Sequence, residues 1–233
     1  FVLMRVVSCV PSLTEWIADV AGPDVVVGRT KFCVRGAPHA LRIGGTKTVD
    51  PERIEALKPD LVLANREENV KAQIEACEAF STVLVTEIRT VEMAWQEMTR
   101  VAEAVGAGPA GNRWIERIRG AWGDPKPIRE RVAYCVWRDP RMVAGGDTYI
   151  SDVLRWWGAE NAFGHLMRYP AIDAEAWSNT HIDRVLLPSE PFPFQEKHQA
   201  EFEQPTALVD GEAFSWYGSR MWHAVESLRQ FGG

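Results

Sequence analysis

The side chains able to do chemistry in this chain are few and scattered. Its five histidines, His39, His165, His181, His198 and His223, are too dispersed to suggest a metal site. The four cysteines, Cys9, Cys33, Cys77 and Cys135, form no C-x-x-C pair, which excludes the usual zinc and disulfide frameworks. Cys9, Cys77 and Cys135 lie in apolar contexts and read as buried thiols. Glu67 and Glu68 could be taken as a carboxylate pair for proton transfer, but adjacent acids on a polar loop read as solvated surface. No G-x-G-x-x-G follows a strand, and there is no G-x-x-x-x-G-K-[ST], G-x-S-x-G or H-E-x-x-H. Gly44-Gly-Thr-Lys47 lacks phosphate-loop spacing and reads as a turn. Nothing in this inventory compels an enzyme. The unusual count is ten tryptophans.

These residues need a frame to hold them. The 233 residues, 46% apolar and 25% charged, are an ordinary globular mix for one large domain or two small lobes. A net charge of −6 argues against a nucleic-acid partner. No run of 18 apolar residues spans a membrane. The opening FVLMRVVSCV lacks the pattern of a secretory signal, and Met4 sits where a native start would sit. The expected location is therefore open between an exported, processed chain and a cytoplasmic one.

Periodicity predicts two strand–helix series. The first has strands at Arg5–Cys9, Val25–Gly28, Leu61–Ala64 and Thr82–Thr86. Its helices are one opened by the capping box Ser12-Leu-Thr-Glu15, one capped by Asp50-Pro51 and running through Lys58, and one over Asn69–Phe80. From Thr90 to about Gly123 the apolar spacing is helical and only Gly106-Ala-Gly-Pro109 interrupts it. The second series has strands at Arg131–Trp137, Arg184–Leu187 and Thr206–Val209. Its helices run from Asp147 or Thr148 to about Trp157, over Asp173–Asn179, from Gln195 to Phe202 and over Ser219–Phe231. The fold class is α/β, with two Rossmann-like lobes at 1–89 and 125–233 joined by a backbone helix over 90–124.

Several stretches together resemble the class III substrate-binding proteins of ABC transporters, the helical-backbone metal receptors, and their cobalamin-binding branch in particular. They are Val7-Ser-Cys-Val-Pro-Ser-Leu-Thr-Glu15, Val27-Gly-Arg-Thr30, the Asp50–Asn65 run DPERIEALKPDLVLAN, the Ala144–Leu154 run AGGDTYISDVL, Gly158-Ala-Glu-Asn-Ala-Phe163, and FSWYGSRMWHAVESL over Phe214–Leu228. The similarity covers about Arg5 to Phe231. It implies a non-enzymatic solute-binding protein that captures a cobalamin or related corrinoid between its lobes, for ABC-type uptake or intracellular handling. Ferric siderophores and haem are alternative ligands, a tetrapyrrole chelatase is an alternative activity, and an interaction module without ligand is a third reading. No intrinsic cofactor and no metal is implied.

In open α/β sheets ligands sit beyond the carboxyl ends of the strands. With the resemblance, that rule puts candidate contacts on the loops after the strands. They are Pro11, Ser12, Thr14, Phe32, Cys33 and Glu67 in the first lobe. In the second they are Trp137, Arg138, Met142, Arg168, Tyr169, Phe192, Phe194, Ser215, Trp216 and Tyr217. Each has a plainer role: capping for Ser12, core packing for Phe192 and Phe194, a lid on the core for Trp137 and Trp216, a surface position for Arg138 and Arg168. Trp16, Trp114, Trp122, Trp156 and Trp222 lie on helical faces and read as packing. Loop aromatics suit a broad apolar disc fringed with amides. The resemblance also implies an acidic residue on each lobe to meet a permease. Lys71 stands in the expected register of the first, with Glu67 and Glu68 nearby, and Glu190 or Glu196 could serve on the surface of the second; Glu68 and Glu196 are the docking acids expected.

Overall fold

The computed structural model describes residues 3–232. They form two compact units, residues 3–88, 92–121 and 217–222 in the first, and 89–91, 122–216 and 223–232 in the second. The helical stretch expected as a separate connector thus groups over 92–121 with the first unit.

The first unit runs through β1 (Val6–Ser8), α1 (Pro11–Ala21), β2 (Val26–Arg29), β3 (Leu41–Arg42), β4 (Gly44–Gly45), β5 (Thr48–Val49), α2 (Pro51–Ala56), β6 (Leu61–Asn65), α3 (Lys71–Glu75) and β7 (Thr82–Thr86). The order β3-β2-β1-β6-β7 makes an all-parallel sheet, with Val7 opposite both Gly28 and Val62. Such a sheet is covered on both faces, so β6 is buried along its whole length. β4 and β5 pair antiparallel across the Gly44–Lys47 turn. Val7, Cys9, Ile43, Ile54, Val62, Ile74 and Cys77 are among the residues of its core.

The capping box expected at Ser12 is not formed. Pro11 occupies the first helical position and the cap falls on Val10, in an extended conformation. Thr14 Oγ1 donates to the Val10 carbonyl at 2.9 Å. Glu15 accepts from Arg35 Nε at 3.2 Å and Arg220 Nη2 at 2.5 Å. Asp50 does cap α2, accepting from the Arg53 amide at 3.2 Å. That helix stops before Lys58, which precedes Pro59 and sits at φ 47°. The helix expected over 69–80 is α3 followed by a 3₁₀ turn at Ala76–Ala79.

The long helical stretch is two helices, α4 (Val91–Ala104) and α5 (Gly108–Trp122). At the break the Ala107 amide donates to the Ala102 carbonyl and the Gly106 amide to Glu103, a Schellman motif. Gly106 at φ 73° supplies its left-handed residue.

The second unit runs through β8 (Glu130–Trp137), β9 (Met142–Val143), α6 (Tyr149–Trp156), β10 (Ala159–Asn161), α7 (Ala174–Ser178), β11 (Arg184–Pro188), a 3₁₀ turn at Glu196–Glu201, β12 (Thr206–Val209), α8 (Gly211–Ser215) and most of α9 (Arg220–Gly232). Strands β10-β8-β11-β12 are parallel, and β9 folds back on β8. The core includes Cys135, Phe163, Trp177, Val185, Leu187 and Phe194. Trp122 meets Trp156 and Trp157 edge-on. All four cysteines are free and buried.

Candidate functional site

In the first unit the loops after β1, β2 and β6 lie at the carboxyl edge of the sheet. Asn65, the last residue of β6, shapes the third of them. Its Oδ1 accepts from the Glu67 amide at 2.9 Å and the Glu68 amide at 3.3 Å, and its Nδ2 donates to Thr86 Oγ1 at 3.1 Å. Asn69 returns a bond to the Asn65 amide and ties the loop to the carbonyls of Cys9 and Thr46. Lys47 Nζ donates to the Glu67 carbonyl at 2.6 Å. The two glutamates are thereby presented by a fixed backbone rather than a loose one.

Tyr217 belongs to this unit. It is 5% exposed, and its hydroxyl donates to Glu68 Oε1 at 3.0 Å. Ser12 hydrogen-bonds the same phenol. Burial pushes the Tyr217 phenol well above the usual tyrosine range, and the Glu68 and Glu67 charges add to it. Tyr217 therefore stays protonated and acts as a donor. Glu68, expected as an exposed docking acid, is half-buried and engaged by this phenol.

Two of the expected contacts in this unit are internal. Cys33 is 1% exposed, its thiol held at 3.1 Å from both Thr14 Oγ1 and Thr30 Oγ1. Desolvation by burial raises its pKa, which favours the protonated thiol packed between the two hydroxyls. Thr14 is buried by the same contacts, and Oγ1 lies 2.8 Å from Ser8 Oγ. Phe32 does reach solvent, 51% exposed, with Lys31 Nζ over its ring at 5.0 Å.

In the second unit Trp137 ends β8 and is 42% exposed. Its ring meets Phe192 edge-on at 5.6 Å, and Met142 faces it across the β8–β9 register. Phe194, offered as a pocket residue, is 7% exposed and belongs to the core, because its ring packs against Phe192 and His198. Arg138 turns its Nε to both carboxylate oxygens of Glu201, at 3.0 and 3.1 Å. Arg168, at φ 59°, gives its amide to Asp147 and its Nη1 lies 3.6 Å from that carboxylate. Its guanidinium stands 5.9 Å from the half-buried Tyr169 ring. Glu196 is exposed at the start of the 3₁₀ turn.

Sequence reasoning took Glu190 for a surface acid. It follows β11, and its Oε1 accepts from Trp216 Nε1 at 2.7 Å and Ser215 Oγ at 3.0 Å. Burial is the main cause that raises its carboxyl above the ordinary glutamate range, with Glu212 and Asp210 adding to it. A carboxylate two residues beyond an apolar strand, before a proline, was the available signal. Among the described residues no group of three or more His, Cys, Asp and Glu could hold a metal ion, and no helix is long and apolar enough to cross a membrane.

Two parallel α/β units, with hydroxyls, aromatics and acids on the loops at their carboxyl edges, have the layout in which open α/β sheets take ligands. The chain belongs to the periplasmic binding protein family, whose model matches residues 6–205. It is 24% identical to the vitamin B12-binding protein of Pectobacterium carotovorum subsp. carotovorum (strain PC1), over 96% of this chain and 86% of that one. Among solved structures it is similar to the periplasmic vitamin B12 binding protein BtuF of Vibrio cholerae (TM-score 0.78, 18% identity, 98% of this chain and 96% of that one). It is also similar to the periplasmic heme-binding protein BhuT in complex with two hemes (TM-score 0.79, 22% identity, 98% and 97%). The two-lobe α/β fold expected from the sequence is therefore the fold observed.

Proposed function

We propose that this solute-binding protein takes a cobalamin or cobinamide-like corrinoid, for an ABC-type permease or for handling inside the cell. The observation that carries the reading is the polarity of the two carboxyl edges. Ser12, Glu67 and Glu68 in one unit, and Glu190 in the other, place hydroxyl and carboxylate acceptor oxygens on these edges beside the rings of Tyr217 and Trp216, whose own donors turn to Glu68 and Glu190. The arginines after the second unit's strands, Arg138 and Arg168, already face Glu201 and Asp147. A corrin fringed with carboxamides supplies N–H donors to acids and hydroxyls. Haem propionates and anionic siderophores call for arginine forks, and a net charge of −6 gives them no long-range attraction. The vitamin B12-binding relative supports the same choice. The exposed Glu196 suits permease contact. A chelatase would need histidine and carboxylate together on these loops. His198 is buried with its Nδ1 accepting the Gln195 amide, which supports binding without catalysis.

Equilibrium dialysis against cyanocobalamin, cobinamide, haemin and a ferric siderophore tests this. Micromolar or tighter binding of a corrinoid, with the other two weaker, is the expected result. Haemin binding tightest would replace the corrinoid by haem, the ligand of the BhuT structure. Silence for all four would remove the chelate reading.

A further inference from the structure

We propose that Glu190 is the positioning residue that sets the orientation of the Trp216 indole on the ligand-binding edge of the second unit. The proposal rests on the reading that Trp216 meets ligand. Trp216 follows α8, where its amide still bonds the Glu212 carbonyl at 3.0 Å. The residue is half-buried, so part of the indole faces solvent. An indole has one polar handle, the Nε1–H donor. That donor ends on Glu190 Oε1 at 2.7 Å, within the range of a charge-assisted bond.

Ser215 is a weaker tether. Its hydroxyl lies 3.0 Å from the same oxygen and 2.8 Å from the Gly211 carbonyl, and it has one proton to give. The acceptor itself is held firmly. The Ser189 amide donates to the Val209 carbonyl and the Gly211 amide to Ser189 Oγ, both at 3.0 Å. Gly211 approaches so closely that a Cβ there would stand 2.6 Å from Glu190 Cγ and 2.8 Å from its amide nitrogen. The Glu190 backbone is thus clamped between the ends of β11 and β12, and the carboxylate is a fixed point for the ring.

The hold depends on charge. Asp210, which caps α8, and Glu212 on α8 both disfavour the ionised carboxyl, and Tyr134 from β8 feels its charge. As pH falls through the raised midpoint, Glu190 takes up a proton and the indole loses a charged acceptor. Ligand grip through Trp216 should weaken in the same window, which lies above that of an ordinary glutamate.

The test uses the whole protein as parent, Glu190→Ala, Glu190→Gln and Trp216→Phe, each checked by urea unfolding. The Trp216 signal is the emission of a protein minus that of the same protein carrying Trp216→Phe, and cyanocobalamin is the ligand. Glu190→Ala should raise acrylamide quenching of that signal and weaken binding about tenfold, the loss expected for a hydrogen bond to a charged group. Glu190→Gln keeps an acceptor without the charge. It should restore binding to within about threefold and flatten the acid limb of both the emission and the affinity. An unchanged Trp216 signal and affinity in Glu190→Ala would overturn the proposal, as would an acid limb that persists in Glu190→Gln. If the parent binds no cyanocobalamin, the corrinoid reading fails, and the quenching and pH profile of Trp216 still decide whether Glu190 sets the indole.

Discussion

A phenol buried beside two carboxylates is a dependable donor, and Tyr217 is placed to be one. Replacing it by Phe removes the bond to Glu68 and takes from that half-buried acid one of its donors. The expected cost is about 1–2 kcal/mol of stability, read as a lower urea midpoint with an unchanged slope, together with weaker cyanocobalamin binding. A Tyr217→Phe protein as stable and as tight as the parent would show that the hydroxyl serves neither fold nor ligand. This contact joins residues 149 positions apart, and that between Glu15 and Arg220 joins residues 205 apart. No local pattern announces either. Glu15 three places after Ser12 looked like a capping box, and only the distant arginines reveal its role. Trp137 was legible because it closes a predicted strand, whereas Trp216 follows the five-residue helix α8, a stretch that reads as loop in the sequence. Cys33 and Phe194 were misplaced because a loop side chain can fold inward, and spacing does not record which way it turns.

At the scale of elements, local signals succeeded wherever the backbone chemistry was decisive. Asp50-Pro51 and Thr148 cap their helices as expected, and β7 and β12 have the expected limits. The failures are short pieces such as β3, β9 and β10, two or three residues each. These exist because a neighbouring strand offers hydrogen bonds, not because their own sequence insists on them. The α4–α5 break was visible as Gly106-Ala-Gly-Pro109, and the structure shows its cause. Gly106 has φ 73° and no atom within 4 Å of where a Cβ would sit. Gly106→Ala therefore isolates the conformational term, about 1 kcal/mol for a left-handed alanine. Urea unfolding should show that loss alone, with cyanocobalamin binding unchanged. A much larger loss would mean that α5 depends on this corner for its packing.

For the whole molecule, composition and periodicity sufficed to give two α/β units because each builds its own apolar core from alternating segments. They could not name a ligand, since that depends on which polar groups remain available once the loops have folded. A ligand that binds only the native state stabilises it by mass action, about 4 kcal/mol at a thousandfold excess over Kd. In a chain of this size each kcal/mol moves the melting midpoint by about 2–4 °C. Cyanocobalamin at that excess should raise the midpoint by roughly 8–16 °C, and haemin at equal concentration by much less. Six tryptophans, Trp122, Trp137, Trp156, Trp157, Trp177 and Trp216, lie in the second unit and four, Trp16, Trp95, Trp114 and Trp222, in the first. Fluorescence therefore weights the second unit, whereas far-UV circular dichroism follows both. The shift should be read by both methods, since agreement between them is the condition for treating the transition as two-state. A shift with haemin and none with cyanocobalamin would move the ligand to the haem class, because protection by mass action follows affinity whatever the fold's relatives bind.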